Sequence, residues 1–443
     1  MSQLQQLLVG KLIFLIKQCN SIKSLQQIHA QMLVNSMHKP NFLLPKLIDL
    51  KDFNYASLLF SQIPQPNDYA YNVMIRGLTT TWHKYDLSIK LYYQMKFSGL
   101  KPDNFTYPFL FIACANLLAL NHGRVAHSLV FRSGLDVDGH VRHSLITMYS
   151  RCAELGCARQ VFDEITERDL VSWNSMISGY TKMGFAAEAV HLFGKMRNAG
   201  FEPDEMTLVS ILGACGAMGN LSLGSWVERF VEDHAMELNT YMGSSLIDMY
   251  GKCGDFLSAR RVFDKMVKKD VITWNAMITG QIIKDDGSSS YLSLHYHLLL
   301  ITGSSVYAQN GMSEEAITLF NHMRSSGVKL NEITLVGVLS ACASVGALDL
   351  GLWLDTYASE RGLQNDVYVA TALVDMYAKC GSLELALKVF KNMPHKNEVS
   401  WNAMITALAH HGRAKEALSL FEQMSIEGNV RCPVVQNKLG VYG

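Results

Sequence analysis

The chain has 443 residues, of which 49% are hydrophobic and 18% are charged, and its formal net charge is 0 at pH 7. This composition can form a continuous core and excludes a disordered chain. The balanced charge argues against broad, non-specific binding to phosphate backbones, because proteins that bind in that way are strongly basic.

The first residues show neither a membrane helix nor an export signal. Residues 7–16 are apolar but are interrupted by Lys11, and no segment reaches the run of about eighteen apolar residues that a membrane helix needs. The basic start and cleavage site of a signal peptide are missing, as is an Arg- and Ser-rich leader. The sequence therefore predicts no membrane partner and gives no cellular address of its own.

Similar phrases return along the chain at a fixed interval. SWNSMISGY, TWNAMITG and SWNAMITAL have the same order around Trp173, Trp274 and Trp401, and a weaker copy, YNVMIRGL, begins at Tyr71. The first two Trp residues are 101 positions apart, and the next interval is 127. The chain therefore repeats every 101 residues, and one copy carries 26 extra residues, at 281–306.

Each period divides into repeats of 35, 35 and 31 residues, and each repeat has the pattern of a helical hairpin. In repeat 170–204, Gly184 and Gly200 bound a segment whose apolar residues lie on one helical face. These residues are Ala189, Leu192, Phe193 and Met196. Such a face is too small to stand alone, and stacking neighbouring hairpins buries it. The predicted fold class is all-α, a superhelical solenoid of stacked helix-turn-helix repeats.

About 12 repeats are predicted over residues 9–432, between an N-terminal tail at 1–8 and a non-repeat C-terminal tail at 433–443. In chain order they are 9–40, 41–67, 68–103, 104–138, 139–169, 170–204, 205–239, 240–270, 271–331, 332–366, 367–397 and 398–432. The last repeat lacks the closing Pro-Asp found at 102–103 and 203–204, so the array is interpreted as cut off. The insertion at 281–306 corresponds to 78 nucleotides in frame and is interpreted as a retained intron or a gene-model artefact. If the insertion is part of the protein, we expect it to loop out or to displace the partner helix of its repeat.

The 35/35/31 alternation and the phrases SWNSMISGY, LIDMYGKCGDFLSARRVFD and AITLFNHM resemble plant pentatricopeptide repeat proteins of the PLS subgroup. Tetratricopeptide repeats, the nearest helical relatives, have units of about 34 residues and a different signature. The resemblance implies a protein of the mitochondrion, or alternatively the chloroplast, that binds single-stranded RNA. In the subgroup such binding usually marks a cytidine for conversion to uridine.

No catalytic activity is expected from this chain itself. Many members of the subgroup end in extension domains and a cytidine-deaminase-like domain, which needs an H-x-E motif and a C-x-x-C motif. Neither motif occurs here. The resemblance therefore implies that editing cofactors or a deaminase would be supplied in trans, and no cofactor or metal is expected.

The repeat geometry predicts where an RNA base would be read. The fifth residue of a repeat lies in the first turn of its first helix, and the last residue lies just before the next first helix. The two can border one groove, and one repeat can match one base of a stretched strand. Asn offers a donor and an acceptor, enough to distinguish base edges, while Ser and Thr offer a smaller hydroxyl.

The family's pairing rule, carried over by position, assigns readers to five repeats. Asn72 with Asp103 and Asn174 with Asp204 would read uridine, Ser244 with Asp270 guanine, Asn275 with Asn331 cytosine, and Thr371 with Asn397 adenine. His143 with Asp169 and Asn402 with Cys432 depart from the rule and are weaker candidates. Pro108, Val209 and Val336, in the middle repeats, lack the pair and are interpreted as spacers. From repeat 68–103 onward, the predicted site reads 5′-U-x-x-U-x-G-C-x-A-3′.

The second residue of several repeats is flat or branched and could stack on bases or wedge between them. These residues are Tyr69, Val171, Tyr241, Ile272, Tyr368 and Val399.

Structural roles compete with these functional ones. A lone Asn in a first helical turn is usually a cap or a solvated residue, but its recurrence in phase with a polar repeat end favours binding. The Trp before each Asn is predicted to pack in the core. His29 and His127 are predicted to be hydrogen-bonded helix residues. The pairs His410-His411 and His295-x-His297 have no acidic or Cys partners in the sequence, so no metal site is predicted.

The nine Cys residues include no C-x-x-C pair, and six recur once per repeat, which is typical of buried thiols.

Two functions from different classes remain open: a sequence-specific RNA-binding adaptor and a protein-interaction scaffold. A truncated product without function is a third possibility.

Overall fold

The computed structural model describes residues 3–34, 40–278 and 313–426. Over these residues the chain forms 24 α-helices and two short 3-10 turns, at Pro40–Phe42 and Leu363–Asn365, and no strand. The chain divides into two compact blocks, an N-terminal block (Met1–Glu202) and a C-terminal block (Pro203–Gly443).

The N-terminal block contains six helical hairpins, and their pairing follows the predicted repeats. In chain order its helices are α1 (Gln3–Gln18), α2 (Ile22–Val34), α3 (Leu44–Asp49), α4 (Phe53–Ser61), α5 (Asp68–Thr80), α6 (Tyr85–Phe97), α7 (Tyr107–Leu117), α8 (Leu120–Arg132), α9 (Gly139–Arg151), α10 (Leu155–Asp163), α11 (Leu170–Lys182) and α12 (Ala186–Asn198). The first helix of each of the later repeats packs on its own second helix and on the next first helix, as α7 and α9 do.

The C-terminal block repeats this arrangement. Its helices are α13 (Glu205–Met218), α14 (Leu221–Asp233), α15 (Thr240–Lys252), α16 (Phe256–Lys265), α17 (Val271–Ile278), α18 (Ser313–Ser325), α19 (Glu332–Val345), α20 (Leu348–Glu360), α21 (Val367–Lys379), α22 (Leu383–Asn392), α23 (Glu398–His410) and α24 (Ala414–Ile426). First helices again stack on one another, for example α13 on α15 and α21 on α23. The predicted all-α fold class of helix-turn-helix hairpins is confirmed in both blocks.

The 31-residue repeats are short because their second helix is short. The helices α10, α16 and α22 have 9, 10 and 10 residues, whereas the second helices of the longer repeats from α6 onward have 13. The predicted punctuation at Gly184 and Gly200 is also explained: both residues have a positive φ, 81° and 85°, which side-chain-bearing residues rarely adopt.

At the start of the array the structure differs from the sequence prediction. Helix α1 begins at Gln3, so part of the segment 1–8, predicted to be a tail, belongs to the first helix. The insertion 281–306, the pair His295-x-His297, Cys432 and the tail 433–443 lie outside the described residues.

The Trp residues that directly precede three candidate base readers lie in the core. Trp173, Trp274 and Trp401 are 6%, 5% and 2% exposed. Each packs edge-to-face on a Phe of the preceding repeat; the ring centroids of Trp173 and Phe162, for example, lie 5.1 Å apart. Such pairs prefer this geometry because the ring edge is positive and the face negative. The prediction that the Trp residues are core is confirmed.

The cysteines of the described residues are free thiols. Burial raises the pKa of Cys114, Cys215 and Cys342 to about 12, so these thiols stay protonated near neutral pH. The interpretation of the repeated Cys as buried thiols holds for these three; Cys152, Cys253 and Cys380 are half-buried. Across the described residues, no helix is long and apolar enough to cross a membrane.

Candidate functional site

The last residue of a repeat caps the first helix of the next repeat. Asp138, for example, accepts a hydrogen bond from the backbone N–H of Val141 at 3.1 Å, and Asp169 accepts one from Ser172 at 2.8 Å. Asp and Asn favour this position because their side-chain oxygen satisfies an N–H that has no partner within the helix. Local helix chemistry therefore places a carboxylate or an amide at the end of nearly every repeat.

In repeat 68–103 the fifth and last residues are in direct contact. The Asn72 amide nitrogen donates to both carboxylate oxygens of Asp103, at 3.0 and 3.2 Å. The Thr106 hydroxyl lies 2.6 Å from the Asn72 carbonyl oxygen and 3.0 Å from Asp103 Oδ1. Asp103 Oδ1 also accepts the backbone N–H groups of Phe105 and Thr106. The side chains of Asp103 and Thr106 thus fix the orientation of the Asn72 amide, with its nitrogen toward the carboxylate.

The same arrangement returns in repeat 271–331 with an amide in place of the carboxylate. Asn275, 6% exposed, donates from its amide nitrogen to Asn331 Oδ1 at 3.0 Å. The Thr334 hydroxyl lies 2.7 Å from the Asn275 carbonyl oxygen and 2.8 Å from Asn331 Oδ1. Asn331 Oδ1 also accepts the backbone N–H of Thr334. Because that oxygen is occupied, the Asn331 amide nitrogen is left facing away from the cap.

His143 occupies the fifth position of repeat 139–169 and makes the equivalent contacts. Its Nε2 lies 3.1 Å from Asp169 Oδ1 and 3.1 Å from the Ser172 hydroxyl. Burial alone would raise the pKa of Asp169, but hydrogen bonds from Ser172 and the nearby His143 outweigh it and lower that pKa. His143 therefore departs from the pairing rule in chemistry but not in position.

Two predicted pairs are not in direct contact. Ser244, 7% exposed, meets the Thr273 hydroxyl at 3.1 Å, and Thr273 in turn bonds Asp270 at 2.9 Å, so the pair is bridged. The Thr371 hydroxyl donates to the Val367 carbonyl oxygen of its own helix at 2.6 Å instead of reaching Asn397. Short hydroxyl side chains reach less far than an Asn amide, and a helical Thr readily bonds the carbonyl four residues earlier.

The other two predicted pairs do not lie within one described block. Asn174 is half-buried in α11 of the N-terminal block. Asp204, in the C-terminal block, caps α13 and accepts the Thr207 hydroxyl at 2.8 Å. Asn402 is half-buried in α23, and its predicted partner Cys432 lies outside the described residues.

Most residues at the second position are exposed, as stacking on a ligand would require. Tyr69, Val171, Tyr241 and Ile272 are 50%, 52%, 51% and 63% exposed, while Tyr368 and Val399 are half-buried. The same position in repeats not singled out from the sequence also carries exposed apolar side chains. These are Phe105, Met206 and Ile333.

Sequence reasoning missed the hydroxyl residue that completes each reader. Thr106 and Thr334 stand three residues after Asp103 and Asn331, and Ser172 and Thr273 stand at the same place after Asp169 and Asp270. The signal was present, because Ser or Thr three residues after Asp or Asn is a reciprocal capping pattern. Capping alone, however, does not reveal that the hydroxyl also reaches the fifth residue of the preceding repeat.

The His residues have structural partners. His127 Nδ1 lies 2.9 Å from the Tyr149 hydroxyl, and His29 Nδ1 lies 2.7 Å from that of Tyr55. At the positions equivalent to His127, Glu228 and Asp355 accept from Tyr250 and Tyr377. The prediction for His29 and His127 is confirmed. His411 Nε2 lies 2.8 Å from the Ala378 carbonyl oxygen.

No group of three or more His, Cys, Asp or Glu residues suited to a metal ion occurs in the parts of the chain that the structure describes.

The sequence and the fold each have known relatives. The PPR repeat family matches residues 66–116 and 168–217, and the PPR repeat matches residues 244–271, 305–328, 368–397 and 399–429. The chain is 35% identical over 429 residues to a mitochondrial pentatricopeptide repeat-containing protein of Arabidopsis thaliana, covering 93% of this chain and 63% of the relative. It is 34% identical over 420 residues to a second such Arabidopsis protein, covering 93% and 70% of the two chains. A chloroplastic one is 35% identical over 450 residues, with coverage of 93% and 57%.

Solved structures show the same architecture. The pentatricopeptide repeat protein PPR10 in complex with an 18-nucleotide psaJ RNA element superposes with a TM-score of 0.65 at 17% identity, covering 92% of this chain and 57% of that chain. This likeness confirms the predicted fold class. The chain belongs to the pentatricopeptide repeat family, and it spans 63% of the length of the first relative above.

Proposed function

We propose that this protein is a sequence-specific binder of single-stranded RNA in a plant mitochondrion, or alternatively a chloroplast. The observation that carries the proposal is the contact between the fifth and last residues of repeats 68–103 and 271–331, in matching geometry. A core contact would not need polar side chains, whereas reading a base edge needs a fixed donor and acceptor. Relatives named mitochondrial and chloroplastic support the organelle.

The last residue of a repeat would distinguish bases whose pairing edge carries a ring N–H from bases whose ring nitrogen is unprotonated. Uracil and guanine carry a hydrogen on the ring nitrogen of the pairing edge, and cytosine and adenine do not. A carboxylate such as Asp103 only accepts, so it favours a ring N–H. Asn331 uses its oxygen in the cap and turns its amide N–H outward, so it favours an unprotonated ring nitrogen. The fifth residue then selects size, since a long Asn suits a pyrimidine and a short Ser or Thr leaves room for a purine.

The lengths of the repeats support a more specific proposal about the subgroup and the RNA process. The 35/35/31 alternation supports placement in the PLS subgroup and a role in C-to-U editing or other RNA processing. In that role this chain would select the transcript, and editing cofactors or a deaminase would act in trans. Bases would be flanked by the exposed second residues, such as Tyr69 and Ile272.

Binding to a nine-nucleotide RNA tests the proposal. The RNA U-A-A-U-A-G-C-A-A, in an unstructured single strand, should bind on the order of 100-fold tighter than a scrambled RNA, because several hydrogen-bonded base contacts of about 1 kcal/mol each are lost. The preference should persist as KCl is raised, since salt weakens the phosphate contacts of both RNAs alike. Equal binding of the two RNAs would favour the protein-interaction scaffold, or a product without function, and would overturn the proposal.

The bridging hydroxyl gives a second prediction. Thr106→Val should lower the preference for uridine opposite Asn72 and Asp103 by about fivefold, because the amide loses one hydrogen bond that orients it. Thr106→Ser keeps the hydroxyl and should restore the preference. Thr318→Val, which removes an exposed hydroxyl that donates to the Glu314 carbonyl oxygen of its own helix, serves as the control. A loss shared equally by all four bases would assign Thr106 to helix capping alone.

A further inference from the structure

The middle repeats hold their last residue by a different partner. In repeat 104–138 the fifth residue is Pro108, and the first residue, Asn104, donates its amide nitrogen to Asp138 Oδ2 at 3.1 Å. In repeat 205–239 the fifth residue is Val209, and the last residue, Asn239, donates to Glu205 Oε1 of the first position at 2.9 Å. In these two repeats a polar pair is therefore present although the fifth position is apolar.

In a third repeat the first residue also pairs with the last residue. Repeat 41–67 has Pro45 at its fifth position, and Asn41 at its first position donates to Asn67 Oδ1 at 3.2 Å. Three independent copies with an apolar fifth residue thus use the first residue to meet the last. This recurrence separates the pairs from chance surface contacts.

In repeat 205–239 the first and fifth residues share one face, because Glu205 and Val209 both lie in α13, one turn apart. Asn104 lies in the turn just before α7. The last residue of the repeat is common to both kinds of pair and caps the next helix in both. Asp138 divides its oxygens as a reader should, with Oδ1 accepting from Val141 N–H and Oδ2 from Asn104.

The hydrogen bonds of the last residue fix its orientation. Asn239 Oδ1 accepts the backbone N–H groups of Tyr241 and Met242, so its amide nitrogen faces outward, with one hydrogen toward Glu205. The exposed apolar side chain at the second position is also present, as Phe105 at 66% exposure and Met206 at 50%. These repeats therefore share two features with repeats 68–103 and 271–331: a hydrogen-bonded last residue and an exposed apolar side chain at the second position.

We infer that repeats 104–138 and 205–239 each bind one RNA base through their first and last residues. This inference rests on the proposed function and extends it to repeats that the pairing rule leaves blank. Asp138, an acceptor, selects the bases with a ring N–H, uracil and guanine. Asn239, with its amide N–H outward, selects cytosine and adenine.

The test varies the second and fifth bases of the nine-nucleotide RNA one at a time, using the full chain. At the second base, U and G should bind about fivefold tighter than C and A, and at the fifth base the order should reverse. Asp138→Asn should invert the preference at the second base. Asn239→Asp, combined with Glu205→Gln so that an amide still donates to the new carboxylate, should invert the preference at the fifth. Asp138→Asn and Asn239→Asp both keep a side chain that caps helices well.

Matched variants separate reading from folding. Asn104→Ala should reduce selectivity at the second base to within twofold, while Asn116→Ala, in the same repeat but bonded to Ile112 of its own helix, should leave it unchanged. If the four bases bind within twofold at both positions while the first base still prefers U, the middle repeats are spacers and the inference fails. If the first base also shows no preference, the proposed function fails and the inference fails with it.

Discussion

Asp103→Asn is expected to change the preferred base opposite repeat 68–103 from uridine to cytidine. The variant copies the Asn275, Asn331 and Thr334 arrangement that the chain already contains, with donor and acceptor atoms 2.7–3.0 Å apart. Asn replaces an acceptor by an outward amide N–H, which fits the bare ring nitrogen of cytosine. The U-to-C ratio of dissociation constants should change by at least about tenfold, since one hydrogen bond is lost for U and one gained for C.

The reciprocal variant, Asn331→Asp, is expected to move the preference of repeat 271–331 from cytidine to uridine. Asn331→Asp keeps a good N-cap, and Asp103→Asn keeps an oxygen that can accept the backbone N–H groups of Phe105 and Thr106. The free energy of unfolding of both variants should therefore stay within about 0.5 kcal/mol of the wild type. Asp86→Asn controls for the change in net charge, because Asp86 is exposed and only faces Lys90 at 3.9 Å. If both reader variants alter affinity for all bases equally, as the control does, the last residue acts through charge and not through base edges.

Trp173→Ala and Asn174→Thr change neighbouring residues but are expected to alter different properties: the first the stability of the fold, the second the preferred RNA base. Trp173 is 6% exposed and packs on Phe162, so its truncation should lower the free energy of unfolding by about 3–5 kcal/mol. Asn174→Thr should leave stability within about 0.5 kcal/mol and shift the preferred base from uridine toward guanine, because a shorter side chain leaves room for a purine. Urea unfolding followed by circular dichroism and RNA binding measure the two effects.

Val171→Ala is the control for this pair, since Val171 is 52% exposed and its truncation leaves no cavity. It should weaken RNA binding modestly for all bases and leave unfolding unchanged. If Trp173→Ala unfolded like the wild type but bound RNA poorly, the ring would belong to the RNA surface, and its assignment to the core would be wrong.

The periodicity of the sequence was sufficient to predict the hairpins, because each helix buries a stripe that recurs every three to four residues. Periodicity placed the fifth and last residues of a repeat beside one groove, and the pairing rule implied by the family resemblance then paired Asn72 with Asp103 and Asn275 with Asn331; the structure shows both contacts. It did not predict that Thr371 would turn back to Val367, because that choice depends on rotamers and not on spacing.

The first-to-last pairs were missed for a related reason. Pro108 and Val209 offer no hydrogen bond, and sequence reasoning took that absence as the property of the whole repeat. The first residue takes their place where its side chain reaches and complements the last residue, as Asn104 does for Asp138 and Glu205 does for Asn239. Periodicity therefore predicts which positions lie near each other, but the length and chemistry of the side chains determine which of them form hydrogen bonds.

The N-cap at the end of each repeat has a consequence for how such an array could acquire new targets. Asp and Asn cap helices about equally well, and most other residues cap poorly. Folding therefore admits two nearly interchangeable side chains at the position where, on the proposed function, they require opposite ring nitrogens. A single substitution such as Asp103→Asn would then retarget one base without a cost in stability, so binding specificity could drift through neutral steps while the scaffold stays unchanged.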